Sequence, residues 1–505
     1  MNLNLRATHV LSILMLVAYL LRLLLIVNGG QFYFPDESRY QRRSVSAADT
    51  LFQADFRSAI DKVLAYNKHH GFTAVGLVPA IVHRVIFFLS PPPGFSWTTY
   101  WLSRDNDYRV SALIFAIPSV LSIGMIYLLA RRAGTGETEA LVAAFLLAAS
   151  NTFFIFSKHF LPYDSSLLIG LAALWLAIPS QQASIKNAIP TGIATFLCIW
   201  VYFGHITFVL MIALVYCGFL ASNWRDSAIR ASGMAFGALL IATPLFLYNN
   251  YVLGINVVSE AVKFSETVSQ GEYFEGSIFP ILYLGNVEAG VALVWMIGVI
   301  IAAGMLARQP QSPDLQHVRL WLACLIILYL LMVLFSAGLQ MFVVYGRIAR
   351  TLVPFLVMLS AFVFTPWLMS RGKKAFAVFV GVISILALAN FVPAIRQEYF
   401  IEIARRARLD YGEVSYETML RHPALPFGVY GEENPLVRYK LLNAGYYYPI
   451  TEPTDLLQGK VLMQVAHPFN HRPWQYEGMT REMRDIVNRD EFYIWLIDKG
   501  SSAEA

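Results

Sequence analysis

Charge is scarce in this chain: only 14% of its 505 residues are Asp, Glu, Lys or Arg, whereas about a quarter of an ordinary soluble protein is charged. So few ionic groups could not cover a water-soluble fold of this length, which excludes one large cytosolic enzyme. Cysteine is nearly absent as well. Cys198, Cys217 and Cys324 all lie inside apolar runs, so no disulfide framework holds a water-exposed part together. Zinc-finger-like spacings, internal repeats and low-complexity tracts are also missing. What abounds is apolar sequence, 57% of the residues. That balance belongs in a bilayer.

Apolar stretches approaching the roughly 20 residues needed to cross hydrocarbon recur along the chain, separated by short polar loops. The pattern predicts eleven spans: 7–27, 110–130, 141–156, 165–179, 189–203, 206–220, 233–248, 285–307, 320–339, 352–369 and 375–392. Those between Ser165 and Leu220 are short. The first run is too long for a signal-peptide core and no small-residue cleavage pattern follows it before Gln31, so it is expected to stay in the mature protein.

Lys and Arg in short loops are retained on the cytoplasmic side. Arg131 and Arg132, Lys186, Arg225 and Arg230, Arg308 and Arg319, and Arg371 with Lys373 and Lys374 fall in alternate loops. Those loops and the N-terminus are therefore expected inside. The long segment after the first span, the loop from Tyr251 to Leu284 and the C-terminus are expected outside. Phe72 to Leu89 is nearly apolar enough to span, yet it holds Pro79, His83 and Arg84. A crossing there would invert every later basic loop, so it is expected as a helix lying in the outer interface.

The composition changes abruptly near Ala394 to charged, Pro-containing, Tyr-rich sequence. The fold class expected is an all-α polytopic membrane domain over 1–393, with interfacial helices in the first outer loop at 29–108, followed by a small α/β or α+β domain over 394–505. In that tail, 461–465 and 492–497 read as strands and 481–487 as helix.

Functional groups should collect where spans open onto water, because lipid-facing positions hold unpaired charge only at high cost. The densest such stretch is Phe34-Pro35-Asp36-Glu37-Ser38-Arg39-Tyr40-Gln41-Arg42-Arg43, directly after the first span. A helix beginning at Pro35 places Arg39 and Tyr40 at i+3 and i+4 from Asp36, so a carboxylate, a guanidinium and a phenol share one face. Pro followed by two acids is also an ordinary helix start, favoured by the dipole and by proline's missing donor. Position, at the mouth of a many-span bundle, separates the two readings.

The Asp-Glu-x-x-Tyr element after the first span resembles that of the GT-C membrane glycosyltransferases, in particular the branch of protein O-mannosyltransferases and the aminoarabinose transferase that modifies lipid A. Asp107-Tyr108-Arg109-Val110, the Arg-Arg-Ala-Gly stretch that follows one span later, Lys158-His159-Phe160-Leu161-Pro162-Tyr163-Asp164, and Arg347 to Pro354 follow the same order. The resemblance implies transfer of a sugar from a polyprenyl-phosphate carrier to a glycan, lipid or protein acceptor at the extracytoplasmic face of a bacterial inner membrane, with inversion. It implies Asp36 as catalytic base, Glu37, Arg39 and Tyr40 as its supporting shell, and Asp164 as a second acid. One element departs from the family. Where members commonly carry Lys- or His-Pro-Pro-Leu, this chain reads Lys68-His69-His70-Gly71, leaving Lys68 and His70 as either substrate ligands or plain interfacial cations.

The residue types fit such chemistry in their own right. A positioned carboxylate that takes a proton from an acceptor hydroxyl is worth about 10²–10⁴-fold. A departing lipid phosphate is stabilised by guanidinium groups, and Arg39, Lys158, Arg347 and Arg350 are all expected near the outer face. A phosphomonoester leaving group needs less charge neutralisation than a diphosphate, so no cofactor or divalent metal is demanded. His69, His70, His159 and His205 match no ligand spacing, and Pro468 between His467 and His471 separates that pair. Glu266, Glu272 and Glu275 read as a solvated loop, and Arg22 as a side chain snorkelling to the interface. A transporter or lipid flippase is the alternative function. Paired repeats and interrupted mid-membrane helices, its usual marks, are not evident, and a scaffold whose tail recruits other proteins ranks below both.

Overall fold

The computed structural model describes residues 5–28, 35–66, 70–89, 109–158, 161–178, 185–268, 277–341, 344 and 346–395, together with four short strands in the tail. The first helix, α1 (Leu5–Asn28), is followed by three helices of the first long loop: α2 (Pro35–Phe52), α3 (Phe56–Leu64) and α4 (His70–Leu89). The bundle continues with α5 (Arg109–Arg132), α6 (Glu137–Ala148), α7 (Asn151–Ile155), α8 (Tyr163–Ala177), α9 (Ile185–Val201), α10 (Ile206–Leu214) and α11 (Trp224–Leu247). It is completed by α12 (Val257–Val268), α13 (Phe279–Glu288), α14 (Gly290–Arg308), α15 (Gln316–Val333), α16 (Gly346–Ala349), α17 (Val353–Ser370) and α18 (Lys373–Ile395).

Among the described residues, 7 helical segments are long and apolar enough to cross a membrane: 6–26, 113–132, 224–252, 290–308, 313–338, 346–370 and 373–392. The chain is a multi-pass membrane protein. These segments coincide with seven of the eleven expected spans; the other four are built from shorter helices. The 141–156 run breaks at Ala149–Ser150 into α6 and α7, while α8, α9 and α10 have 15, 17 and 9 residues. Protein encloses them, since Ala143, Ala144, Leu146, Leu147, Leu171, Ala173, Leu174 and Ile212 are all buried. Helix ends and breaks are tolerated at membrane depth where other helices surround them. Large apolar side chains on the outer faces of α1, α14 and α18, such as Ile13, Ile300 and Ile385, are instead exposed and suited to lipid.

Small residues bring the central helices together. A Cβ on Gly192 of α9 would strike the Met234 carbonyl of α11, and one on Gly237 would strike the Ile189 carbonyl in return. The two backbones touch because neither glycine has a side chain, the packing that membrane helices use in place of a hydrophobic drive. Gly298 of α14 meets Ser360 of α17 in the same way. Helices α5 and α17 run through the middle and carry buried Tyr127, Phe355 and Met358.

The first-loop helices dock on one end of this bundle. Asp55 caps α3, its carboxylate accepting from Ser58 N at 3.0 Å, and these hydrogen bonds to Ser58 hold its pKa below the usual carboxylate range. Lys62 donates to Ser46 Oγ and Thr50 Oγ1 of α2 at 2.9 and 2.6 Å. Arg84 of α4 pairs with Asp49 of α2 at 2.6 Å. At the far end of α11, Tyr248 donates to Asp61 at 2.5 Å and Asn249 caps the α3 exit through Tyr66 N and the Leu64 carbonyl. The segment 72–89 is helical within α4, as expected, and packs on α2, α3, α5 and α9.

In the tail, β1 (Phe427–Tyr430), β2 (Tyr448–Pro449), β3 (Met463–Ala466) and β4 (Tyr493–Leu496) form one sheet in the order β2-β1-β3-β4. β1 runs parallel to β2 and β3, and β4 is antiparallel to β3 with Met463 opposite Leu496. β3 and β4 stand where the apolar runs at 461–465 and 492–497 predict strands. β1 and β2, a Gly-containing and a Pro-containing segment, carried no such run. The helix expected at 481–487 lies outside the described residues, as do His467, His471 and Trp474.

Candidate functional site

The described polar groups concentrate where α8 begins and α16 passes into α17. Pro162 precedes α8 and leaves Tyr163 and Asp164 in its first turn, where an acid is favoured by the helix dipole. Opposite, α16 gives way to a 3₁₀ turn, Arg350–Leu352, before α17, which carries Pro354 in its first turn. The tighter turn aims Arg350 inward.

Arg350 is wholly enclosed, at 0% exposure, and Asp164 retains only 5%. Arg350 Nη2 donates to Asp164 Oδ1. Its guanidinium also lies over the Phe153 ring, 4.8 Å from the centroid, and 5.1 Å from that of Phe156. Removing one member would strand the other's charge, because a buried ion costs several kcal/mol without its partner. Arg350 Nε and Nη1 find no acceptor among the described residues.

Arg347, one turn earlier, donates from Nη1 to the Tyr163 hydroxyl at 2.6 Å and lies over that ring at 5.4 Å. Tyr163 packs on Tyr202 at 4.6 Å, and Tyr202 meets the His205 ring edge-on at 5.0 Å. His205 Nδ1 is 2.8 Å from Ser166 Oγ, which also donates to the Cys198 carbonyl at 2.8 Å. Two tyrosines and a histidine thus line the arginine on one side.

Arg22 is where sequence reasoning needs correction. Its guanidinium does not snorkel to the interface but is fully buried, donating from Nε to Ser119 Oγ at 3.2 Å, from Nη1 to the Ala18 carbonyl at 3.0 Å and from Nη2 to the Phe153 carbonyl at 3.2 Å. It and Arg350 meet the same residue, Arg22 at the Phe153 carbonyl and Arg350 over the Phe153 ring. Polar atoms of neighbouring helices satisfied it more fully than the interface would. Arg22, Arg347 and Arg350 thus gather at one end of the bundle, with Asp164 paired to Arg350.

A second buried carboxylate escaped sequence reasoning altogether. Glu288, the last residue of α13, is 0% exposed and accepts from Ser150 Oγ at 2.7 Å, Asn151 N at 2.7 Å and Thr152 N at 2.9 Å. A lone acid at the head of an apolar run was the available signal.

Of the remaining expected site residues, Asp36, Glu37 and Arg39 lie in the first turns of α2, which begins at Pro35 as the spacing predicts. Their side chains lie outside the described ones. Tyr40, on the same helix, is buried at 3% exposure. Lys68, His69 and His159 lie outside the described residues; His70 opens α4 and Lys158 closes the 3₁₀ turn Phe156–Lys158, with neither side chain described. Glu266 falls in α12, and Glu272 and Glu275 fall outside the described residues. Chemically, the described part of the site can hold an anion and present an aromatic wall beside a paired carboxylate.

Neither a protein-family model nor a curated protein sequence matches the chain. Solved structures do. The crystal structure of ArnT from Cupriavidus metallidurans in the apo state is 13% identical, with a TM-score of 0.51, over 90% of this chain and 93% of that one. The same protein bound to undecaprenyl phosphate gives 14% identity and a TM-score of 0.50, with the same coverage. At these identities the likeness is one of architecture, and this chain has a GT-C-like fold that it shares, nearly end to end, with ArnT.

Proposed function

We propose that this protein is a membrane glycosyltransferase that moves a sugar from a polyprenyl-phosphate donor to an acceptor at the extracytoplasmic face, with inversion. The observation that carries the reading is the cluster of buried Arg22, buried Arg350 and half-buried Arg347 beside Asp164, in a fold shared with a protein that binds undecaprenyl phosphate. Clustered guanidinium groups suit a phosphate, since arginine meets phosphate oxygens with bidentate, charge-assisted hydrogen bonds.

In this reading the acceptor oxygen forms the new bond to the anomeric carbon as the anomeric carbon–phosphate oxygen bond breaks. The proton of the acceptor passes to Asp36, and the electron pair of the broken bond leaves on the polyprenyl phosphate. Glu37, Arg39 and Tyr40 support the base, Lys68, His70 and Lys158 contribute to substrate binding, and Asp164 keeps Arg350 in place. Guanidinium groups answer the charge on a leaving phosphomonoester, so turnover needs no divalent metal and should persist in EDTA. The orientation follows from the basic residues. Arg132 Nε bonds the Ile178 carbonyl at the end of the bundle opposite Asp164, and the Arg371, Lys373 and Lys374 group follows the far end of α17. By the charge rule that end is cytoplasmic.

The test is turnover by purified protein given synthetic polyprenyl-phosphate sugars and an envelope extract as acceptor. Asp36→Asn should lose activity by about 10²–10⁴-fold, the range of a general base, while melting at the same temperature as the parent. Equal rates for the two proteins would remove Asp36 from this role.

A further inference from the structure

We infer that Glu288 is a positioning residue for the arginine cluster, acting through the short helix α7; the inference rests on the reading of that cluster as the carrier-phosphate site. Helix α7 is five residues long and is set off from α6 at Ala149–Ser150. Both of its ends are engaged. At the start, the first backbone donors of any helix lack intrahelical partners, and here Glu288 takes those of Asn151 and Thr152 while Ser150 Oγ faces that of Phe153 at 3.4 Å. Ser150 Oγ in turn donates to Glu288 Oε1. The Asn151 side chain adds a bond to the Val287 carbonyl at 2.8 Å, and Asn390 of α18 reaches the Glu288 carbonyl at 3.4 Å.

At its other end α7 supplies what the arginines rest on. The Phe153 carbonyl accepts from Arg22 and from Ser119, the Phe153 ring lies under Arg350, and Phe156 just beyond it flanks Arg350 and meets Tyr163 edge-on at 6.2 Å. One carboxylate therefore fixes a five-residue strut that touches two of the three arginines. A carboxylate enclosed in a membrane bundle is costly to keep, and among the described residues no cation pairs with this one. A neutral acceptor would close a helix start at lower cost. Its two oxygens hold three donors at once, and with them the direction of the Phe153 carbonyl.

The test uses the full-length protein in detergent and undecaprenyl phosphate as probe, with the dissociation constant, kcat, KM for a polyprenyl-phosphate sugar and the melting temperature read for each variant. Glu288→Gln, which keeps the size but halves the acceptors, should weaken undecaprenyl phosphate binding and raise KM by on the order of tenfold to a hundredfold, as expected of a small displacement at a binding constellation. Its kcat at saturating donor should change less. Ser150→Ala, a milder change at the same junction, should move KM in the same direction and serves if Glu288→Gln does not fold. A fall in melting temperature with unchanged affinity and KM would make Glu288 merely structural and overturn the inference. No undecaprenyl phosphate binding by the unaltered protein would instead overturn the reading of the site.

Discussion

Arg350 sits at 0% exposure because one carboxylate and two phenyl rings meet it, and each contact can be removed singly. Asp164→Asn leaves a guanidinium without its counter-charge, and Arg350→Met leaves the reverse. Each should cost about 3–5 kcal/mol of stability, read as detergent unfolding, and the double variant should cost less than the sum because the two groups act as a pair. Tyr163→Phe asks a finer question. It removes only the acceptor for Arg347, a bond to a charged group worth about 1.5–3 kcal/mol. If Arg347 contacts the carrier, KM for the lipid donor should rise together with a modest fall in melting temperature, whereas a purely structural bond would lower the melting temperature and leave KM unchanged. Arg22 shows why such residues are hard to read from sequence. Its partners Ser119 and Phe153 are 97 and 131 positions away, so nothing local distinguishes turning inward from reaching up to the interface.

Contacts between elements depend on missing side chains more than on present ones. Gly192→Ala or Gly237→Ala forces α9 and α11 apart and should destabilise by about 1–3 kcal/mol, the range for overpacking. Gly304→Ala on the exposed face of α14 meets nothing within 4 Å and should be neutral or stabilising by about 0.5–1 kcal/mol, as for Gly to Ala in a helix interior. Thermal unfolding of the three variants side by side separates close approach from simple helix propensity. The first-loop helices carry a pH signature instead. Burial raises the Asp49 pKa, with Arg84 and Lys62 opposing the shift. The folded protein thus holds this proton more tightly than the unfolded chain does. That contribution is full below the ordinary carboxylate range and is lost as pH rises through the elevated pKa. Asp49→Asn should flatten the decline in melting temperature with pH across that window.

At the scale of the whole molecule, scarce charge and recurring apolar runs made the polytopic architecture legible, and the helix at Pro35 and strands β3 and β4 fell where local pattern placed them. Span count was harder to read. Apolar length measures a crossing only when lipid surrounds the helix, and α6 to α10 are enclosed by protein, so their lengths answer to packing. Asp164, Arg347 and Arg350 stood out singly in the sequence, but the Arg350–Asp164 pairing did not, since 186 positions separate the two residues. Glu288 showed only as a lone acid at the head of an apolar run, because two of its three donors are backbone groups that no residue type announces. The account as a whole rests on a lipid phosphate meeting the arginine cluster. Native mass spectrometry of the full-length protein with undecaprenyl phosphate and with undecaprenol tests this most directly. The account expects retention of the phosphate by the unaltered protein, little retention of the alcohol, and loss of the phosphate adduct in Arg347→Ala. Equal retention of both lipids, or an adduct indifferent to Arg347, would contradict it.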